Sequence, residues 1–229
     1  MRLMFALAAA GLAATALTAP ALAQEKPALS AQAMWGLSRL GAPAISPDGR
    51  QVALTVSRFD IAKNQRIADL HLIPSAGGPA RALTNDEVNE SDPQWSPDGR
   101  HLAFTARRAG DETAQIYVMP MTEAGEAVRV TAVPTGVTSF EWLPDSSGFA
   151  FTTPIWADLK TWEEQAKRRK ERADSKMTAK VWTKSPISSW DRWLDDTVTH
   201  LYTIAIAPGA APKPVTLTSG RSVFVGNFG

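Results

Sequence analysis

Cysteine is absent from this chain of 229 residues, and only three histidines occur, His71, His101 and His200. The first absence excludes disulfide staples, thiolate metal sites, a cysteine nucleophile and lipid attachment at a cysteine after a leader. The histidines do not stand at metal-ligand spacing, so no zinc motif can be written. An excess of one charge is lacking too: 24 Lys and Arg against 23 Asp and Glu leave a net +1, which gives no electrostatic reason to expect nucleic acid. There is no Gly-x-Ser-x-Gly turn to carry a nucleophile. The nearest imitation, Ser75 in Pro74-Ser75-Ala76-Gly77-Gly78, lacks the first glycine. Gly77-Gly78 has neither the spacing nor the Lys-Ser/Thr ending of a phosphate loop, so no cofactor is implied.

The longest apolar stretch, residues 3–17, falls short of the roughly 20 residues a membrane-spanning helix needs. It follows Arg2 and precedes Thr18-Ala19-Pro20 and the small-residue site Ala21-Leu22-Ala23. That order predicts a secretory signal peptide over residues 1–23, cleaved after Ala23, and hence a secreted or periplasmic protein with no stable membrane anchor. Without disulfides such a protein depends on a large packed core, and 44% hydrophobic residues are enough for one.

What is present in quantity is repetition. Ser46-Pro47-Asp48-Gly49-Arg50-Gln51-Val52-Ala53-Leu54-Thr55 returns as Ser96-Pro97-Asp98-Gly99-Arg100-His101-Leu102-Ala103-Phe104-Thr105, and again as Leu143-Pro144-Asp145-Ser146-Ser147-Gly148-Phe149-Ala150-Phe151-Thr152. Proline presets φ at the first turn position, Asp can bond the backbone two residues on, and Gly accepts a positive φ. In the third copy Ser146 replaces that glycine and Gly148 comes two positions later, which predicts a different turn geometry. After each turn a large pair (Val52 and Leu54, Leu102 and Phe104, Phe149 and Phe151) alternates with Ala53, Ala103 or Ala150. One face of each strand is large and the other small, as stacked sheets require.

A second alternating strand follows in each copy: Asp69-Leu70-His71-Leu72-Ile73-Pro74, Gln115-Ile116-Tyr117-Val118-Met119-Pro120 and His200-Leu201-Tyr202-Thr203-Ile204-Ala205. His71 and His200 are therefore strand positions rather than bases. A third short strand comes at Ala82-Leu83-Thr84, Arg129-Val130-Thr131 and Thr216-Leu217-Thr218, and a fourth ends at Trp95 or Trp142, with Ile45 as the counterpart. Four strands per repeat of about 50 residues describe a β-propeller blade. The expectation is an all-β partial propeller of about three four-stranded blades, residues 44–229, with units near 44–95, 96–142 and 143–221. A lead over residues 24–43 carries a short helix capped by Ser30, running through Met34, Leu37 and Leu40 and stopped by Gly41 to Pro43.

The third unit departs from the others. From the turn Asp to the second strand the spacing is 21, 17 and then 55 residues, so 34 to 38 are added, within residues 155–199. Residues 160–176 are dense in charge and predict a helix, with Glu163 four before Lys167 and Glu164 four before Arg168. The helix reads as a solvated face, with contact to an acidic partner as the alternative. Glu163 and Glu164 admit two roles, this helical pairing or an anchor for a substrate's free amino terminus by charge-assisted hydrogen bonds. Trp95 and Trp142 belong to the repeat and to the core. Trp182, Trp190 and Trp193 do not follow the repeat, and pack the insertion or line a cavity mouth.

Met34-Trp35-Gly36-Leu37-Ser38-Arg39-Leu40-Gly41-Ala42-Pro43, the Trp95-Ser96-Pro97-Asp98-Gly99-Arg100 turn and Ser189-Trp190-Asp191-Arg192-Trp193-Leu194-Asp195-Asp196 running into His200-Leu201-Tyr202 together carry a resemblance. They resemble the N-terminal propeller of prolyl oligopeptidase family serine peptidases, of the dipeptidyl aminopeptidase or acylaminoacyl peptidase type. The resemblance implies about seven or eight blades in the whole propeller and a C-terminal α/β-hydrolase domain holding Ser, Asp and His. On that reading this chain is the front of such an enzyme, truncated before the hydrolase domain, and no catalytic residue carries over. It also implies a propeller that admits short peptides, with acidic side chains holding the substrate amine in exopeptidase members. A TolB-like periplasmic propeller that binds a protein is the alternative, since it shares the Pro-Asp-Gly repeat. Either way, unclosed propeller edges allow self-association.

Overall fold

The computed structural model describes residues 29–85, 88–175, 188–189, 192–193, 196–206 and 213–218. The expected signal peptide, Trp182 and Trp190 lie outside the described residues. Among those residues no helix is long and apolar enough to cross a membrane. The chain runs through α1 (Ala31–Trp35), β1 (Arg39–Leu40), β2 (Ala44–Ile45), β3 (Gln51–Asp60), β4 (Gln65–Pro74) and β5 (Arg81–Ala82). Next come β6 (Glu90–Trp95), β7 (His101–Ala106), β8 (Gln115–Pro120) and β9 (Val128–Arg129). The last group is β10 (Ser139–Trp142), β11 (Gly148–Ile155), α2 (Trp162–Asp174), β12 (Ser188–Ser189), β13 (Arg192–Trp193), β14 (Val198–Ala205) and β15 (Val215–Thr216). Three antiparallel sheets result: β1 and β2 both on β3, followed by β4 and β5; β6-β7-β8-β9; and β10-β11-β14-β15. The small β12-β13 ribbon stands apart, inside the insertion. This is the expected partial propeller with a helical insertion in its third blade.

Each sheet begins with the strand before a repeat turn, because that strand and the one after the turn form a hairpin. Trp95 pairs with Leu102, and Trp142 with Phe149. The sequence repeats near 44–95 and 96–142 thus end on a strand that belongs, by hydrogen bonding, to the following sheet. The lead helix also differs from expectation. Ser30 caps it as expected, its hydroxyl accepting from the Ala33 N–H at 3.1 Å, but the helix stops at Gly36. Arg39 and Leu40 instead join the sheet opposite Ser57 and Val56. Gly41 to Pro43 interrupt a strand rather than ending a helix. The same offset in the second blade holds Asp92 and Pro93, where β6 bulges and Asp92 takes φ +54°. Proline cannot donate to the ladder, so both inner strands kink where it stands.

The turns agree with one another more closely than the sequence implies. Gly49 and Gly99 sit at φ +73° and +72°, each N–H donating to the Ser carbonyl three residues back. Asp48 and Asp98 each accept from a Ser hydroxyl at 2.6 Å and from an Arg N–H at 3.0 Å. Ser146 adopts φ +60° and donates to the Leu143 carbonyl at 2.9 Å, so the third turn keeps the same geometry despite losing its glycine. The expectation of a different turn is therefore wrong. Two local substitutes explain it. Ser147 supplies the hydroxyl that Asp145 needs, at 2.6 Å, and Ser146 Oγ accepts the Asp98 N–H of the neighbouring blade's turn at 3.2 Å. Gly148 serves a separate purpose. A Cβ there would overlap the Ile204 carbonyl on β14.

Packing follows the alternation of large and small faces. Ala53, Leu70 and Leu72 of the first blade bury Leu102, Phe104, Ala106 and Tyr117 of the second. Ala103, Ile116 and Val118 of the second bury Phe149, Phe151, Tyr202 and Ile204 of the third, with Val133, Val137 and Phe140 closing the cluster. Stacked ring pairs recur at one offset, Phe104 with Tyr117 and Phe151 with Tyr202. Directional bonds fix the stagger. The Trp95 indole N–H donates to the Ala44 carbonyl, and the Trp142 indole N–H to the Gln94 carbonyl, both at 3.1 Å.

Two substitutions test this frame. Gly148→Ala will destabilise the protein by about 1–3 kcal/mol through overpacking against β14. Trp142→Phe will cost about 1–3 kcal/mol, because it leaves the Gln94 carbonyl without its donor. Urea titration followed by intrinsic fluorescence measures both, and a near-neutral Gly148→Ala would contradict the close approach.

Candidate functional site

The outer edge of every blade is closed by a threonine. Oγ1 of Thr84, Thr131 and Thr218 accepts from the backbone N–H of Leu70, Ile116 and Leu201 at 2.9, 2.9 and 3.2 Å. Beside each threonine the second strand carries a buried polar side chain, Asp69, Gln115 or His200. Gln115 Oε1 accepts the Thr131 hydroxyl at 2.8 Å, and Thr218 Oγ1 lies 3.0 Å from His200 Nδ1. Sequence reading gives His200 a plain strand role, and the structure agrees while adding this partner. His71 occupies the position of Tyr117 and Tyr202, with Nδ1 3.4 Å from the Asp69 carbonyl. Ser75 donates to the Gly49 carbonyl at 2.6 Å and clasps two turns together, which is no nucleophile's setting.

Burial pushes the His200 imidazole below its ordinary 6.5. The unfolded chain then binds the proton more readily than the folded one, so stability is fully present above about pH 6.5 and is lost as pH falls below it. Asp98 and Asp111 are also lowered, but from 3.8, so their contribution is lost only at more acid pH. His200→Gln, which copies Gln115, will flatten the fall in Tm between pH 7.5 and 5. Parallel Tm profiles for the two proteins would remove His200 from the explanation.

The insertion is bound to the third blade through Trp156. Its backbone N–H donates to Gln165 Oε1 at 3.0 Å and its carbonyl accepts from Gln165 Nε2 at 2.9 Å, a closed pair formed by a side chain only 3% exposed. The Trp156 indole donates to Asp196, and the guanidinium groups of Arg168 and Arg172 lie 5.8 and 5.1 Å from its ring. Arg172 also pairs with Asp196. Arg169 pairs with Glu112 in the second blade, so α2 bridges two blades. Between them Asp111 accepts from Tyr117 and Arg129, each at 2.6 Å. Burial and the Asp111 carboxylate together push the Tyr117 hydroxyl up to about 12.

The start of α2 separates the two glutamates. Thr161 Oγ1 accepts from the Glu164 N–H, and Glu164 Oε2 accepts from the N–H groups of Lys160 and Thr161 at 2.8 and 3.0 Å. These bonds hold the Glu164 carboxyl below its ordinary value and commit it to a capping box. The pairing expected along the helix differs as well: Lys167 meets Glu171, and Arg168 grips Asp158 with two bonds of 2.9 and 2.8 Å. Glu163 is left exposed on the rim of a cleft of about 470 Å³. The first turn of α2 and Leu159 form one wall, and Ile155, Tyr202, Lys213, Pro214 and Thr216 form the other. Within this lining Trp162 packs on Tyr202, their ring centroids 5.2 Å apart. The sequence marked Glu163 and the insertion but missed Tyr202, Lys213 and Thr216 as cleft residues. Their only signal is that the second and third strands of the same blade flank the insertion. No cluster of His, Asp or Glu able to hold a metal ion occurs among the described residues.

Comparison with known proteins extends these observations. A family described as the TolB beta propeller domain matches residues 32–186. The uncharacterized peptidase YuxL of Bacillus subtilis is 36% identical over 113 residues, 49% of this chain and 17% of that protein. Dipeptidyl-peptidase 5 of Porphyromonas endodontalis is 27% identical over 192 residues, 84% of this chain and 26% of that protein. The solved acylaminoacyl peptidase of Pyrococcus horikoshii shares the fold, with a TM-score of 0.53 at 19% identity over 75% of this chain and 24% of its own. The matched stretches thus span 17% and 26% of the two sequence relatives. Repeated turns, stacked four-stranded sheets and the matched residues together place the chain in the TolB β-propeller domain family, with peptidases among its relatives.

Proposed function

We propose that this chain is the propeller part of an exported serine exopeptidase, which binds short peptides and limits access to a hydrolase domain carried elsewhere in the protein. The observation that carries the reading is Glu163, exposed on an aromatic-walled cleft while its neighbour Glu164 is used by the helix cap. A carboxylate in the first turn of α2 also sits where the helix dipole favours negative charge. The peptide amine is held by Glu163, and the half-buried Trp162 ring beside it receives the first side chain. Export rests on the Arg2 leader and the Ala21-Leu22-Ala23 site, and no catalytic residue is assigned to these blades. Two of the relatives are named as peptidases, which supports the reaction class. Ile45 stands where Trp95 and Trp142 pack and is 65% exposed. Further blades, or a second copy, would join at that face.

The match to the TolB beta propeller domain supports a second reading, a periplasmic propeller that holds a protein partner. Titration of the chain with alanine tripeptides, followed by tryptophan fluorescence, separates the two. Peptides with a free amine will bind, and either N-acetylation or Glu163→Gln will weaken them by about 1.5–3 kcal/mol, the worth of a charge-assisted hydrogen bond. Equal binding of free and acetylated peptides, or no binding of either, would remove the amine anchor and leave the protein-binding reading.

A further inference from the structure

The cleft that presents Glu163 also presents two ammonium groups. Lys160 and Lys213 line it, both exposed, and neither forms an ion pair among the described residues. This contrasts with α2, where Lys167, Arg168, Arg169, Lys170 and Arg172 each have a carboxylate partner. The carboxylate nearest Lys160 in sequence, Asp158, is taken up by both nitrogens of Arg168. The two lysines come from different elements. Lys160 stands beside Glu163 at the start of α2, whereas Lys213 precedes β15 and comes from the blade side with Tyr202 and Thr216. A carboxylate from α2 and an ammonium from the segment before β15, lining one cleft together with Trp162, match a ligand that is cationic at one end and anionic at the other.

Resting on the amine-anchor reading above, we propose that the cleft selects free di- and tripeptides as zwitterions. Glu163 receives the α-ammonium and Lys213 the α-carboxylate, with the side chain against the half-buried Trp162 ring. A volume of about 470 Å³ lies in the range of small-ligand sites, and an extended residue spans about 3.5 Å. Two or three residues therefore suit the cleft, whereas a longer peptide places its carboxylate outside it. The two end groups then measure length, and the preference for short peptides arises inside this blade as well as from exclusion at the propeller mouth. Both contacts are with exposed side chains, so the preference weakens as salt rises.

The test uses the whole chain and three probes: an alanine tripeptide, its C-terminal amide and its N-acetyl form. Amidation will raise Kd at least about tenfold, and Lys213→Gln will raise the Kd of the free acid by a similar factor while abolishing the acid-to-amide difference. Lys160→Gln will leave that difference intact. If amide and acid bind equally while acetylation still weakens binding, the carboxylate contact is overturned and the amine anchor stands. If neither end group matters, both readings fall. An effect that follows Lys160→Gln instead of Lys213→Gln overturns the assignment of the carboxylate to Lys213. Circular dichroism of each variant confirms that the sheets are intact.

Discussion

A four-stranded sheet with one large face and one small face cannot bury both by itself. It needs a neighbour on each side, and in this chain that constraint sets almost everything else. Phe104 reaches the small face of the first blade because Ala53 leaves room for it, and Phe149 and Phe151 reach the second because of Ala103. Apolar packing alone would allow neighbouring blades to slide, since it has no direction. The indole N–H groups of Trp95 and Trp142 remove that freedom by donating to fixed carbonyls one blade back. Gln94 adds a return bond to the Phe140 carbonyl at 2.8 Å between the second and third blades. Ala44 holds the equivalent place in the first blade and has no side-chain donor, so that joint relies on the tryptophan and on a backbone bridge between Ala68 and Asn89.

The same constraint explains why the fold was legible in the sequence and where legibility ended. The large and small alternation, the Pro-Asp turns and the tryptophans are repeated, and repetition separates a structural requirement from coincidence. Ser146 misled because glycine was taken as the condition for the turn. The physical condition is a positive φ plus a hydroxyl for Asp145, and two serines supply it at the cost of modest strain. Leu40 misled for a related reason. Its spacing from Met34 and Leu37 fits a helix, but pairing with Val56 satisfies more of the backbone than another helical turn would. Tertiary pairing decides such short segments because a five-residue helix has little stability of its own.

The cleft was half legible. Its helical wall could be found because an insertion interrupts a counted repeat, and Glu163 stands out within it. Its sheet side could not, since Tyr202, Lys213 and Thr216 lie in an ordinary repeat unit and line the cleft only where α2 meets the blade. Tyr202 illustrates the point. Its ring stacks on Phe151 as Tyr117 stacks on Phe104, yet its other side meets Trp162. No pattern in the sequence distinguishes the two tyrosines, whereas the arrival of α2 does.

That arrival is itself held by polar geometry more than by apolar burial. Gln165 is the only buried residue of α2, and it spends both ends of its amide on the Trp156 backbone. Trp162 adds a contact with Tyr202, and Arg168 and Arg172 lie over the Trp156 ring. The surface ion pairs individually contribute little in water, so the helix is located most closely at its first turns, by Trp162 and Gln165. Glu163 lies between these two residues, so its backbone is placed by the most tightly fixed contacts of the insertion.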